Sequence, residues 1–420
     1  MNKNKYKRPN TQIPNNTIPD NWERFQLGNG DFCDIIMGQS PPSSGYNSKG
    51  NGLPFLQGKI EFGNIYPSPI KYCSKPIKIA KKDDILISVR APVGDVNITL
   101  DELCIGRGLA AIRCKPAKLQ NLFLFYYMKL IAKKLENIAS GSTFKAIRKP
   151  ELEALELRLP PLSEQKKIAQ VLSTVDQASE KVGEAIEKTQ RLKRGLMHEL
   201  LTRGIGHKEF KETEIGMIPK NWEARKIEKI CIDFVSGGTP STSNKKYWNG
   251  EIPWMTSAFI TEREIKTGQR YITKEGLRNS ATNVVPKDNL VVATRVGIGK
   301  AAINRVDLAI SQDLTGMIID KKQAYPDFLY WALTNSETKL RSLAQGSTIK
   351  GILREGLGKI KLPLPPLAEQ QEIAEILSSV DKRVEALRSK KEKLEKVKKR
   401  LMEDLLTGRV RVIPLIEKET

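Results

Sequence analysis

Two stretches of this chain carry apolar residues at alternating steps of four and three. In the later one, Ile373, Leu377, Val380, Val384, Leu387, Leu394, Leu401 and Leu405 keep that rhythm, and Lys391 and Lys398 fill the two skipped positions. The earlier one runs through Ile168, Leu172, Val175, Ser179, Val182, Ile186, Thr189, Lys193, Leu196 and Leu200, with more polar substitutions. A seven-residue apolar repeat is the seam of a helix packed along another helix. Each stretch follows the same words, Leu159-Pro160-Pro161-Leu162-Ser163-Glu164-Gln165 and, 205 residues later, Leu364-Pro365-Pro366-Leu367-Ala368-Glu369-Gln370. Adjacent prolines hold the backbone extended and cannot sit inside a helix, so each helix is predicted to begin just past them. At 1.5 Å per residue, roughly 40 residues give a helix about 60 Å long. One apolar seam cannot hold such a helix alone, and its copy is the expected antiparallel partner.

The repeat extends beyond the helices. Ile18-Pro19-Asp20-Asn21-Trp22-Glu23 returns as Ile218-Pro219-Lys220-Asn221-Trp222-Glu223. Between that opening and the helix, Gly38-Gln39-Ser40-Pro41-Pro42 faces Gly237-Gly238-Thr239-Pro240-Ser241. Leu53-Pro54-Phe55-Leu56-Gln57-Gly58 faces Ile252-Pro253-Trp254-Met255-Thr256-Ser257, and Ile85–Arg90 faces Leu290–Arg295. β-Branched runs between glycine and proline punctuation predict short strands. Phe123 to Ile138 and Phe328 to Leu343 each read as one amphipathic helix. The expected fold class is therefore mixed α/β (α+β): two small domains joined to two long antiparallel coiled-coil helices in a pseudo-twofold internal repeat. The predicted boundaries are a basic arm at 1–17, domains at 18–158 and 206–363, long helices at 159–205 and 364–410, and a tail at 411–420.

Charge narrows the partners. Seventy Lys and Arg against 48 Asp and Glu leave +22 on 420 residues, a surplus suited to a polyanion and to nucleic acid before a membrane surface. The basic run from Arg388 to Arg400 lies on a seam-bearing helix, where it reads as a solvated or docking face. Cys33, Cys73, Cys104, Cys114 and Cys231 form no CxxC pair and read as reduced residues of a cytoplasmic protein. There is no signal peptide pattern and no apolar run near the ~20 residues of a membrane span.

Catalytic equipment is missing from this reading. The two histidines, His198 and His207, fall near the end of the first long helix and read as helix-end polar residues. Gly297-Ile298-Gly299-Lys300 lacks the leading glycine and the Ser or Thr of a phosphate loop, so it reads as a turn between strands. Gly237-Gly238 and Gly28-Asn29-Gly30 lack dinucleotide spacing. DNA contact uses the charge more economically. An arginine fork matches guanine O6 and N7, and Gln or Asn can pair with adenine. Candidate DNA-binding residues are polar groups in loops that differ between the halves: Gln39, Ser40, Gln57, Lys59 and Arg107, then Thr239, Ser241, Thr256, Arg263 and Gln312. Lys145 and Lys350, at equivalent places, suit phosphate contact. Arg90 and Arg295 close equivalent strands, in either a structural role or a DNA contact.

Two divergent domains, each followed by the Leu-Pro-Pro-Leu-x-Glu-Gln helix and ending in Leu196-Met197…Leu200-Leu201-Thr202 or Leu401-Met402…Leu405-Leu406-Thr407, resemble the specificity subunit of a type I restriction–modification system. The resemblance covers residues 18 to 410. Where that family commonly has Asn-Gln or Ser-Gln, the second half keeps Ser311-Gln312 and the first has Gly106-Arg107, so a role of Gln312 does not carry over to Arg107. The resemblance implies a non-catalytic reader of a bipartite, asymmetric double-stranded DNA target. Two methyltransferase subunits would carry S-adenosylmethionine and adenine-N6 chemistry, and restriction subunits ATP and Mg²⁺; no cofactor or metal is expected on this chain. The paired helices would act as a ruler for the spacing of the half-sites. A stand-alone regulator with two tandem DNA readers and a self-contained enzyme are the alternative readings.

Overall fold

The computed structural model describes residue 19 and residues 21–138, 146–342 and 351–416. It contains two compact units: Met1–Gly183 with Ser389–Thr420, and Glu184–Arg388. Each unit takes a domain, part of the helix that follows it, and part of the other long helix.

In the first unit, a four-stranded antiparallel sheet has the order Cys33–Met37, Leu109–Cys114, Ile85–Ser88, Val96–Ile98. A second sheet runs Tyr46–Asn47, Lys71–Cys73, Leu53–Leu56, Leu103–Ile105, Ile79–Ala80, with a parallel pair between Leu53–Leu56 and Leu103–Ile105. The run Ile85-Leu86-Ile87 is apolar without alternation because both of its faces are covered. Ile85 and Ile87 join the helix-side core with Phe123 and Leu124, while Leu86 joins Leu56 and Ile105 on the other face. A strand buried on both sides needs no polar face.

The second unit repeats the plan. Its first sheet has the order Cys231–Ser236, Leu314–Ile319, Asn289–Ala293, Ala301–Asn304, Glu264–Ile265. Its second has Arg270–Ile272, Trp248–Met255, Leu308–Ile310, Asn283–Val285. Leu290 and Val292 face the helices, and Val291 and Ala293 face the other way. A hairpin of Phe210–Thr213 and Gly216–Pro219 is added. The Gly297–Lys300 stretch is the expected turn, closed by Ala293 N–H donating to Lys300 O at 2.8 Å.

The single amphipathic helix expected in each domain is two. Asn121–Leu130 gives way to Ala132–Ile138, and Pro326–Asn335 to Glu337–Ser342. Neither proline nor glycine marks these breaks, at Ile131 (φ −91°, ψ 6°) and Ser336 (φ −97°, ψ 14°). Tertiary packing explains them: the second segments return Leu135 and Leu340 to the core that holds the first.

The long helices span Leu162–Thr202 and Leu367–Leu405, starting one residue past the prolines as predicted. The strand leading into each is paired with the strand that opens its domain: Glu156–Leu159 with Glu23–Gln26, and Lys361–Leu364 with Glu223–Lys226. The repeated glutamine fastens the helix start. Gln165 Oε1 accepts from Gln120 N–H at 2.9 Å, and its amide donates to Pro160 O and Lys118 O. Gln370 does the same with Tyr325 N–H at 2.8 Å, Pro365 O and Gln323 O. The glutamates differ. Glu164 takes a two-pronged bond from Arg411 at 2.7 and 2.8 Å, whereas Glu369 accepts from Ile205 N–H and Trp222 Nε1–H and bonds His207 Nε2.

Within each unit the two helix segments run antiparallel. In the first, Ser179 donates to Glu395 at 2.7 Å, and Asp176 meets Lys398. Ile168 and Leu172 share a core with Leu405 and Leu406. In the second, Lys193 bonds Asp381, and Leu200 and Leu201 pack with Ile373 and Leu377. The stretch past residue 410, expected as a tail outside the repeat, carries Arg411 and a buried Val412 into the first unit.

Candidate nucleic-acid interface

Three loops of the first unit meet backbone to backbone. Gly38 N–H donates to Leu109 O, Gln39 N–H to Ile105 O, and Gly106 N–H to Leu56 O, all between 2.8 and 3.0 Å. Ser40 Oγ accepts from Arg107 N–H at 3.2 Å. The approach leaves no room for side chains at the crossing: a Cβ on Gly38 would lie 2.2 Å from Gly106 O, and one on Gly106 2.9 Å from Gln57 Cα. The result is a rigid knuckle that brings Gln39, Ser40, Gln57 and Arg107 together, with Gln39, Gln57 and Arg107 exposed. Lys59 is committed to an ion pair with Asp95. Arg90 lies exposed where its backbone bridges to Ala146.

The second unit builds the same knuckle with different chemistry. Gly238 N–H donates to Ile310 O and Ser311 N–H to Met255 O, at 2.9 and 3.0 Å. Thr239 Oγ1 donates to Gln312 Oε1 at 2.6 Å, and Ser241 bonds Ser243 at 2.8 Å. Two indoles pin the first loop from beneath: Trp254 Nε1–H donates to Gly238 O and Trp248 Nε1–H to Ser241 O, both at 3.1 Å. Two organising residues escaped the sequence reading. Asp313 accepts from Ser257 N–H at 2.9 Å and from the Ser257 and Ser311 hydroxyls, tying the second and third loops together. Gln269 holds Thr256 through its N–H and hydroxyl. The available signal was the Ser311-Gln312-Asp313 sequence, since a carboxylate beside two serine-bearing loops can accept from both.

Arg295 is exposed at its strand end, next to Thr294, whose carbonyl accepts from Ile352 N–H at 2.7 Å. Arg263 is not at the knuckle. Its side chain is 9% exposed, it pairs with Asp327 and Glu264 at 2.5 and 2.8 Å, and Arg305 shares both carboxylates. Burial opposes ionisation of Glu264, but Arg305 and Arg263 outweigh it and hold that carboxyl below its usual range. A guanidinium so engaged serves the fold. Lys145 and Lys350 lie outside the described residues.

Residues 19–188 and 219–396 each match the type I restriction modification DNA specificity domain, so both halves of the repeat are accounted for. The chain belongs to that family. Relatives in the specificity family include the type I restriction enzyme MjaVIII specificity subunit of Methanocaldococcus jannaschii, 28% identical over 94% of both chains. The MjaX specificity subunit of the same organism is 53% identical over 188 residues, a match spanning 45% of this chain and 44% of the relative. Among solved structures, the S subunit of a type I restriction–modification system from M. genitalium has the same fold, with a TM-score of 0.62 at 17% identity, over 94% of this chain and 98% of that one.

The specificity-family fold here offers no metal cluster: among the described residues, no group of three His, Cys, Asp or Glu could hold an ion. No described helix is long and apolar enough to cross a membrane. All five cysteines are free; burial pushes the Cys33 and Cys231 thiols up to about 12, which keeps them protonated and unreactive. His207 has a structural place, bonded to Glu369 and edge-on to Trp222 at 6.2 Å.

Proposed function

We propose that this specificity subunit reads an asymmetric, two-part DNA target, one part with each knuckle, on behalf of methyltransferase subunits. The observation that carries the reading is the pair of knuckles: three loops cross in the same way in both units while the exposed side chains differ. A repeated scaffold with different polar tips suits two different half-sites. Gln39, Ser40, Gln57 and Arg107 are the base-contacting candidates of the first unit, and Thr239, Ser241, Thr256 and Gln312 those of the second. Arg90, Arg295, Lys145 and Lys350 suit phosphates, which position a protein without reading sequence. Lys59 and Arg263 are left out because their charges are already paired.

Two methyltransferase subunits would supply S-adenosylmethionine and adenine-N6 transfer, and restriction subunits ATP and Mg²⁺. Co-expression with the methyltransferase partner, followed by genome-wide mapping of methylated adenines, tests this. The expected result is one interrupted, asymmetric motif that disappears when this chain is omitted. Binding should weaken with salt, log K falling about 0.9 per phosphate neutralised for each tenfold rise in salt. Methylation with an unchanged motif in the chain's absence, or methyl transfer by this chain alone, would overturn the proposal.

A further inference from the structure

A neighbouring pair of side chains on the second unit was not among the candidates. Arg270 begins the edge strand of its sheet, beside Trp248–Met255. Its guanidinium carbon lies 3.5 Å from the centre of the Trp248 ring, and the side chain is exposed with no acidic partner among the described residues. Trp248 is itself fixed, edge-on to Trp254 at 5.3 Å and hydrogen-bonded to Ser241 O. The arginine therefore sits over a platform that also holds the Thr239–Ser241 loop. A guanidinium held by a ring face rather than by a carboxylate keeps its N–H groups free to donate.

The preceding residue has a fixed orientation too. Gln269 Oε1 accepts from Thr256 N–H at 3.1 Å. A backbone N–H can only donate, so the amide cannot be turned round without losing that bond. Its NH₂ group faces away from Thr256 and has no acceptor among the described residues. Two adjacent, pre-oriented groups thus present donors only, at the rim of the knuckle. Their complement is a surface rich in acceptors, and the major-groove edge of guanine presents O6 and N7 without a donor.

We propose that Arg270 and Gln269 are specificity-determining residues of the second unit, Arg270 taking a guanine edge from its seat on Trp248 and Gln269 donating to the adjoining base. This rests on the DNA-reading function proposed above and names the base class that one half-site must contain.

The test uses the full chain co-expressed with its methyltransferase partner, with methylated motifs mapped for wild type, Arg270→Lys and Gln269→Glu. Arg270→Lys keeps the charge but loses the fork. It should relax one guanine position of one half-site by about 5- to 150-fold and leave the other half-site intact. Gln269→Glu is isosteric and still accepts from Thr256, but turns the outward donor into an acceptor. It should shift the preferred base at the neighbouring position toward cytosine. Either variant with an unchanged motif overturns the proposal, as does a half-site without guanine or a uniform weakening whose salt slope falls by about one phosphate. A wild-type complex without sequence-specific methylation would instead defeat the underlying function, so the two failures are separable.

Discussion

Lys398 of the second long helix bonds Asp176 of the first at 2.5 Å, under the ring of Tyr126, whose hydroxyl donates to the other carboxylate oxygen at 2.7 Å. Lys398 occupies a position where the seam repeat calls for an apolar residue. The second unit makes the same contact with the helices exchanged: Lys193 bonds Asp381 and lies 4.8 Å from the Trp331 ring. Both lysines are thus part of the seam, and each pairs with a carboxylate of the other long helix within its unit.

Breaking that pair should be costly. The side chains of Lys398 and Asp176 are 15% and 10% exposed, so losing one leaves the other poorly solvated. Lys398→Ala should destabilise the first unit by roughly 3–5 kcal/mol, while Lys398→Met with Asp176→Leu should recover part of the loss, since the Tyr126 hydroxyl then lacks its acceptor. Urea unfolding of the two variants, followed by tyrosine and tryptophan fluorescence, checks the difference.

The carboxyl-terminal stretch should be indispensable to the first unit. Glu164 is almost fully buried, and Arg411 is its charged partner. Arg411→Ala should cost about 3 kcal/mol or more by stranding that carboxylate, and Glu164→Gln should relieve part of the damage in the Arg411→Ala background. Thermal unfolding of the single and double variants reads this out.

Gly38→Ala is expected to impair one half of recognition only. The added methyl would press on Gly106 O at 2.2 Å, and the loops bearing Gln39 and Arg107 must separate. Mapped methylation should lose definition in one half-site and keep the other, with the melting temperature of the second unit unchanged.

Lys129 supplies a pH signature. Burial, reinforced by the charge of Lys398, lowers its ammonium from the ordinary 10.5 to about 8. Between those values the unfolded chain binds the proton and the folded one does not, so stability from this group rises with pH there. Below about pH 8 the contribution is flat. The stability of wild type relative to Lys129→Met should therefore climb from about pH 8 to 10.5 and stay level under it, as measured by denaturant titrations across that range.

Much of this protein was legible in the sequence because its information is periodic. The 205-residue offset, the proline-bounded helix starts and the seam residues all follow from local chemistry, since proline geometry and helical spacing act within a few residues. The three-loop correspondence was legible too, for Gly38, Gln57 and Arg107 are set by punctuation around short strands. Tertiary structure decided what those residues do. Arg263 looked like a free loop cation and is held by Asp327, 64 residues away in the chain. Gln269 and Asp313 looked ordinary and hold the second knuckle, because a hydrogen bond depends on where a distant partner lies. The helix breaks at Ile131 and Ser336 carry no local breaker, and only the demand to return Leu135 and Leu340 to a shared core produces them. Sequence spacing thus determined the elements and their repetition. Which charges are spent inside the fold and which remain free for DNA was decided by contacts between residues far apart in the chain.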